Sequence, residues 1–348
     1  MANTTLFRPT DEKWNLAIPV VFLVAILLGV QNPAKWFSAE ISTGGLIEEL
    51  LVDVLLLNVT HNAFTVMMLV SFPEMREWLN RQKGGAKGFF RRAGLIFVGL
   101  SFLFGLGIAG FVPFFKELIL PLSRFFPIQH ALAQSLGLSL MYNGRSALLG
   151  EKTNKWVEKT ERYLIWGLIA LMVAAVWAAT EFQIFGWTFQ RLSFRTLFVA
   201  SLLVSLLLMV ISLLQPKSTR LNKTLFALRY PVWALSIQSP LAIWATRAIH
   251  GLEYLFVVRK MASKSRFTAW SAVAVYVLLA TFLFAVLRVF YFSYASTTMD
   301  SATPTYDALL ILASVSTAFS YVHYYLDRQL FLMRRKDNRE LVAPLLRD

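Results

Sequence analysis

Cysteine is absent from the 348 residues. Its absence excludes disulfides, thiolate nucleophiles and cysteine-held iron–sulfur clusters. Charge is scarce as well: 16% of the residues are Asp, Glu, Lys or Arg, where a soluble domain of this size averages about 25%. Histidine is scarcer still, with His61, His130, His250 and His323 making up the full set of four. No Walker loop, dinucleotide-binding glycine pattern, HExxH or GxSxG motif occurs, so the usual sequence marks of nucleotide enzymes, zinc peptidases and serine hydrolases are missing.

Apolar sequence is what the chain has in quantity. Hydrophobic residues make up 57% of it, in repeated runs of the length that spans a bilayer as helix. Candidate spans are Trp14–Gln31, Leu46–Phe72, Ala93–Phe115, Leu118–Asn143, Tyr163–Phe182, Leu192–Leu214, Ala269–Ser293 and Tyr306–Met333. A more awkward stretch, Thr224–Val258, is interrupted by Pro231, Gln238 and Pro240 and reads as a short crossing or re-entrant piece followed by a full helix. The first run, Ile18 to Val30, shows no small-residue cleavage site and reads as a retained helix. The fold-class expectation is therefore all-α, a polytopic membrane bundle of nine or ten segments formed by one domain over residues 1–348.

The formal charge of +14 sits in short loops between apolar runs. The positive-inside rule explains that placement better than nucleic-acid binding does. Loops 73–92, 143–162, 215–229 and 259–266 and the tail 334–348 are basic, while loop 294–305 has no basic residue. Both termini and the basic loops then face the cytoplasm, as in a bacterial inner-membrane protein. Arg191 and Arg195, at an outer end, run against the pattern.

In that topology the four histidines fall on the helices that run from outside to inside. Arg76, Arg145, Arg259 and Arg334 follow them by 15, 15, 9 and 11 residues. At a helical rise of ~1.5 Å per residue the imidazoles lie roughly 14–22 Å from the basic loops, near the middle of a ~30 Å hydrocarbon core. Ionisable groups there are costly and mark function by default, and imidazole is the commonest protein metal ligand. The competing account makes each histidine a helix-packing hydrogen-bond donor. The neighbours favour a metal: Glu253 stands at i+3 from His250 and Asp327 at i+4 from His323, each on its histidine's face. Such a carboxylate either ligates the metal or holds the imidazole's second nitrogen. His130 has Gln134 at i+4, and His61 has Thr65 at i+4, so the acidic side of the site belongs to His250 and His323.

An all-imidazole set, with or without carboxylates, suits iron, copper or zinc better than magnesium or calcium. Open positions on iron would allow O₂ chemistry on an apolar substrate arriving from the lipid bilayer. Two other readings stay open. A pair of histidines could be axial ligands to haem in an electron-transfer subunit, or the histidines could relay protons in a transporter whose broken segment 224–240 lines the substrate path.

The segments around the histidines resemble those of the bacterial Brp/Blh-type β-carotene cleavage enzymes. Val322-His323-Tyr324-Tyr325-Leu326-Asp327 is similar to that family's late histidine segment, in which an aspartate follows one turn later. Ala248-Ile249-His250-Gly251-Leu252-Glu253-Tyr254 sits where the family has a histidine-rich helix before two final spans. His61 and His130 match its two early histidines. The departures are clear: Val59-Thr60-His61-Asn62 replaces an early Pro-His-Gly, Gln134 stands where an acid is expected, and Tyr254 stands where a further histidine is expected. The resemblance covers about 40 residues in four patches. It implies a polytopic metal-dependent oxygenase, with Fe(II) expected on His61, His130, His250 and His323 and Glu253 and Asp327 in support. It does not imply β-carotene as the substrate.

Overall fold

The computed structural model describes residues 9–28, 73–108, 113–148, 150–152, 154–179, 183–184, 187–188, 193–239, 241–242, 245–253, 318 and 321–329. Among the described residues the chain is almost wholly helical. The elements are α1 (Pro9–Leu27), α2 (Pro73–Asn80), α3 (Gly85–Ile108), α4 (Pro113–Leu148), α5 (Lys155–Ala179), β1 (Gln183–Ile184), β2 (Trp187–Thr188), α6 (Phe194–Ser212), α7 (Lys217–Ala227) and α8 (Arg229–Leu235). Residues 245–253 and 321–329 are helical too. β1 and β2 form a small antiparallel pair with Gln183 opposite Thr188 and Ile184 opposite Trp187, an element the apolar pattern did not announce.

Local chemistry sets the ends of these helices. α2 and α4 each begin with proline, whose missing N–H costs nothing at the first helical position. Before α5, Asn154 Oδ1 accepts the Trp156 N–H at 3.0 Å, as a helix-capping side chain does. α2 and α3 are joined through Gly84 and Gly85, with φ of +80° and +62°, a left-handed turn that side chains with a Cβ resist. α7 stops at Ala227 because Pro231 lacks the N–H that would bond the Ala227 carbonyl in a continued helix.

The chain divides into two compact units. Unit 1 takes Met1–Phe37, Pro127–Lys260 and Phe331–Asp348. Within it α5 packs on α6, α6 packs on α7 and α8, and α1 packs on α7 and α8. Val232, Ala245 and Ile249 form a buried core there, covered by Ile18, Phe22, Leu23 and Ile26 of α1. Unit 2 takes Ser38–Phe126 and Met261–Leu330. Its described part packs α2 on α3, with the Trp78 and Phe89 rings edge-to-face at 5.6 Å and Phe89 against Tyr325 at 6.3 Å.

One expectation is corrected here. Nine or ten membrane-spanning helices were expected; among the described residues one helix, Phe194–Ser212, is long and apolar enough to cross a membrane by length and composition. A shorter apolar stretch, Leu16–Leu27, lies in α1. α4 is more polar than its apolar run suggested, with Gln129, His130, Gln134, Ser135 and Ser139 inside it, and α5 opens on the charged turns Lys155, Glu158, Lys159, Glu161 and Arg162. The stretch 224–258 breaks into the end of α7, the seven residues of α8 and a separate helix at 245–253. Leu46–Phe72, Ala269–Ser293 and most of Tyr306–Met333 lie outside the described residues. The common depth of the four histidines rests on those crossings and loses its footing with them.

Candidate metal centre

In unit 1 the sequence brings two of the four histidines together. His130 lies on α4 and His250 on the helix 245–253, and both are buried. Their rings meet edge-to-face, with centroids 5.0 Å apart and planes at 88°. Two imidazoles bound cis to one metal through nitrogens at ~2.0–2.1 Å have ring centres about 4.5–5.3 Å apart, and two bound trans about 6.3 Å. The observed pair therefore fits cis ligation and not axial ligation on opposite faces of a haem. The same spacing is also ordinary for packed aromatic rings, which makes metal retention the deciding observation.

Glu253, one turn after His250, is fully buried. Its Oε1 accepts the Ser135 hydroxyl at 3.0 Å, and its Oε2 accepts the Gln134 amide at 3.3 Å. The Arg229 guanidinium forms an ion pair with it. Gln134 Nε2 also reaches the His250 carbonyl at 3.4 Å. The carboxylate is thus engaged on α4 and α8 at once, and its described partners make it a brace rather than a proton donor or acceptor poised for substrate.

A second buried ion pair lies farther along the same face of α4. Lys223 on α7 donates to Asn143 Oδ1 at 2.7 Å and to Glu161 Oε2 at 3.0 Å, and Ser139 donates to the other Glu161 oxygen. Burial pushes the Lys223 ammonium down from its usual range, and the adjacent Glu161 carboxylate opposes part of that shift. Ser146 and Thr219 meet at 2.6 Å, a further bond between α4 and α7. Ser135, Ser139, Asn143 and Ser146 follow one another at helical spacing, so a single polar seam on α4 serves three neighbouring elements.

In unit 2, His323 and Asp327 are buried, and His323 Nε2 lies 3.2 Å from Asp327 Oδ2. The i,i+4 spacing therefore does place this carboxylate beside its histidine, where it can orient the ring. His323 is also flanked by Tyr324, with ring centres 5.8 Å apart. His61 lies outside the described residues, as does Tyr254.

Sequence reasoning missed four members of this assembly. Lys223 and Arg229 served only as cytoplasmic markers in the basic loop 215–229; both are in fact buried and paired. A helical wheel separates them from their neighbours, because Thr219, Lys223, Phe226 and Ala227 form the buried face of α7 while Lys217 and Arg220 stay exposed. Ser135 carried no signal beyond a polar residue in an apolar span, and Glu161 fell within the basic loop 143–162. No protein-family model, curated protein or solved structure matches the chain.

Proposed function

We propose that the chain is a histidine-ligated metal protein of the cell membrane, an iron-dependent oxygenase whose substrate is an apolar lipid or isoprenoid. The buried His130–His250 pair at cis-ligand spacing is the observation that carries the proposal. Within unit 1 its ligands are His130 and His250, with Glu253 bracing the helix of His250. Iron held through imidazoles with open positions supplies O₂ chemistry to a bound apolar molecule.

The chain's own residues contribute orientation and exclusion of water. His130 and His250 are both buried, so charge placed there is poorly screened. Two further observations support a membrane setting. α6 qualifies as a crossing helix, and large apolar side chains are exposed on α1, α3 and α6, among them Val24, Val98, Phe102, Leu203 and Val210. Exposed apolar surface on this scale marks contact with lipid or a partner.

Metal analysis of the full-length, detergent-purified protein tests the reading. Stoichiometric iron that falls in each of the His130→Ala and His250→Ala variants is the expected result, with O₂ uptake on addition of an apolar polyene as its functional counterpart. Metal-free protein with a Soret band would replace it with haem binding. Metal-free, colourless protein that moves a solute into liposomes would replace it with transport.

A further inference from the structure

The polar groups behind the histidine pair are arranged as a bracket, and its fixed point is Arg229. Two contacts besides the one to its carboxylate partner hold the guanidinium group. Its Nε donates to the Phe226 carbonyl at 2.8 Å, its Cζ lies 3.3 Å from the centre of the Phe226 ring, and the side chain is wholly buried. From that anchorage at the α7–α8 junction it pairs with Glu253. Glu253 in turn receives Ser135 and Gln134 from α4, and Gln134 also bonds the carbonyl of His250 itself. Gln134 stands one helical turn from His130, and Glu253 stands one turn from His250. Each histidine helix therefore carries, one turn onward, a side chain that grips the other.

We infer that Arg229 is a positioning residue for the imidazole pair: by holding Glu253 it fixes the helix 245–253 against α4 at the spacing that two ligands to one metal require. The inference rests on the metal-binding reading above and adds to it a residue that touches neither imidazole. Stability alone accounts poorly for such an arrangement. A buried ion pair is often no more stabilising than apolar side chains of similar volume, and both Val232 and Trp233 on the same short helix already pack in the interior. What an apolar substitute cannot reproduce is directional bonding to two points on α4.

The test is a Co²⁺ titration of the full-length protein, read by the visible absorption of the bound ion, alongside thermal unfolding of the same samples. Arg229→Gln combined with Glu253→Gln removes both charges together while leaving a neutral polar side chain at each position, so no lone buried charge remains. The expected result is a loss of Co²⁺ affinity of about 10–100-fold, the range for residues that orient metal ligands, with little change in the unfolding midpoint. Arg229→Lys keeps the charge and loses the planar fork, and Ser135→Ala keeps the ion pair and loses one bond to Glu253. Each should lose affinity by a smaller factor, and these two carry the test if the double variant does not fold. Wild-type affinity in the double variant, or in both single variants where only those fold, overturns the inference while leaving the metal site standing. Wild-type protein that binds no Co²⁺ overturns the metal reading and the inference with it.

Discussion

α4 and α6 use the same polar residue to opposite ends. Ser135, Ser139 and Ser146 on α4 and Ser201, Ser205 and Ser212 on α6 are buried. On α4 the hydroxyls reach other elements: Ser135 bonds Glu253, Ser139 bonds Glu161, and Ser146 bonds Thr219 as well as its own helix's Tyr142 carbonyl. On α6 they fold back, with Ser212 at its end also reaching Thr224 of α7. Ser201 bonds the Leu197 carbonyl at 2.8 Å and Ser205 the Leu202 carbonyl at 2.7 Å. The outer face of α6 presents Val199, Leu203, Leu206, Leu207 and Val210 to the surroundings. α6 thus buries its serines beside Leu197, Leu208 and Ile211 and leaves a face of large apolar residues exposed, and small residues on the buried face allow close packing on its neighbours. α4 turns polar residues inward to satisfy buried charges. Overall apolar content does not distinguish such helices; the destination of each hydroxyl does.

The largest effect should come from breaking the α4 seam. Glu161→Leu leaves the Lys223 ammonium buried without its carboxylate, a defect that costs about 3–5 kcal/mol. Chemical unfolding of the detergent-solubilised protein measures it, and a loss below about 1 kcal/mol would mean that Lys223 reaches water in the variant. Adding Lys223→Met to Glu161→Leu removes the stranded charge, and most of the lost stability should return. Recovery absent from the double variant would show that the pair does more than neutralise itself.

α6 should respond to a charge in proportion to its contact with lipid. An arginine at the centre of a membrane-spanning helix costs about 2.5–3.5 kcal/mol on insertion. Leu203→Arg should therefore lower the membrane-bound fraction of the expressed protein sharply, and Leu203→Met should not. Were the outer face of α6 in water, the arginine variant would stay within about 0.5 kcal/mol of wild type and keep its distribution. That result would reverse the contrast with α4.

The helices themselves were legible from apolar runs: α1, α3, α4, α5 and α6 each overlap an expected span. Their number of crossings was not, because run length measures apolar content and says nothing of which face a lysine takes. Lys223 and Arg229 show the error concretely. Basic residues next to an apolar run read as topology markers, yet tertiary pairing with Glu161 and Glu253 draws them inside. The i,i+4 rule did place Asp327 on His323. At His250 the i+3 carboxylate is where the spacing puts it, but α8 and α4 claim its oxygens, and neither contact is local in sequence. The meeting of His130 with His250, 120 residues apart, is likewise a tertiary fact that no single-helix pattern contains.

The smallest effect is a slope. Lys223 has a folded pKa below its ordinary 10.5, with burial as the first cause and Glu161 as the opposing one. Below the folded value both states carry the proton and the full cost of burying the charge is present. Between the folded value and 10.5 the unfolded chain binds more protons than the folded one, so the Lys223 contribution makes stability rise with pH across that window. The rise is at most about 1.4 kcal/mol per pH unit for one group. The Lys223→Met, Glu161→Leu variant should lack this contribution, because the lysine is gone. The difference between wild-type and double-variant unfolding free energies, followed upward to pH 10.5, isolates it from every group the two share. A difference that stays flat across the window would mean that the lysine keeps an ordinary proton affinity inside the protein. The seam on α4 would then be solvated, and the contrast with α6 would narrow to a difference in side-chain size.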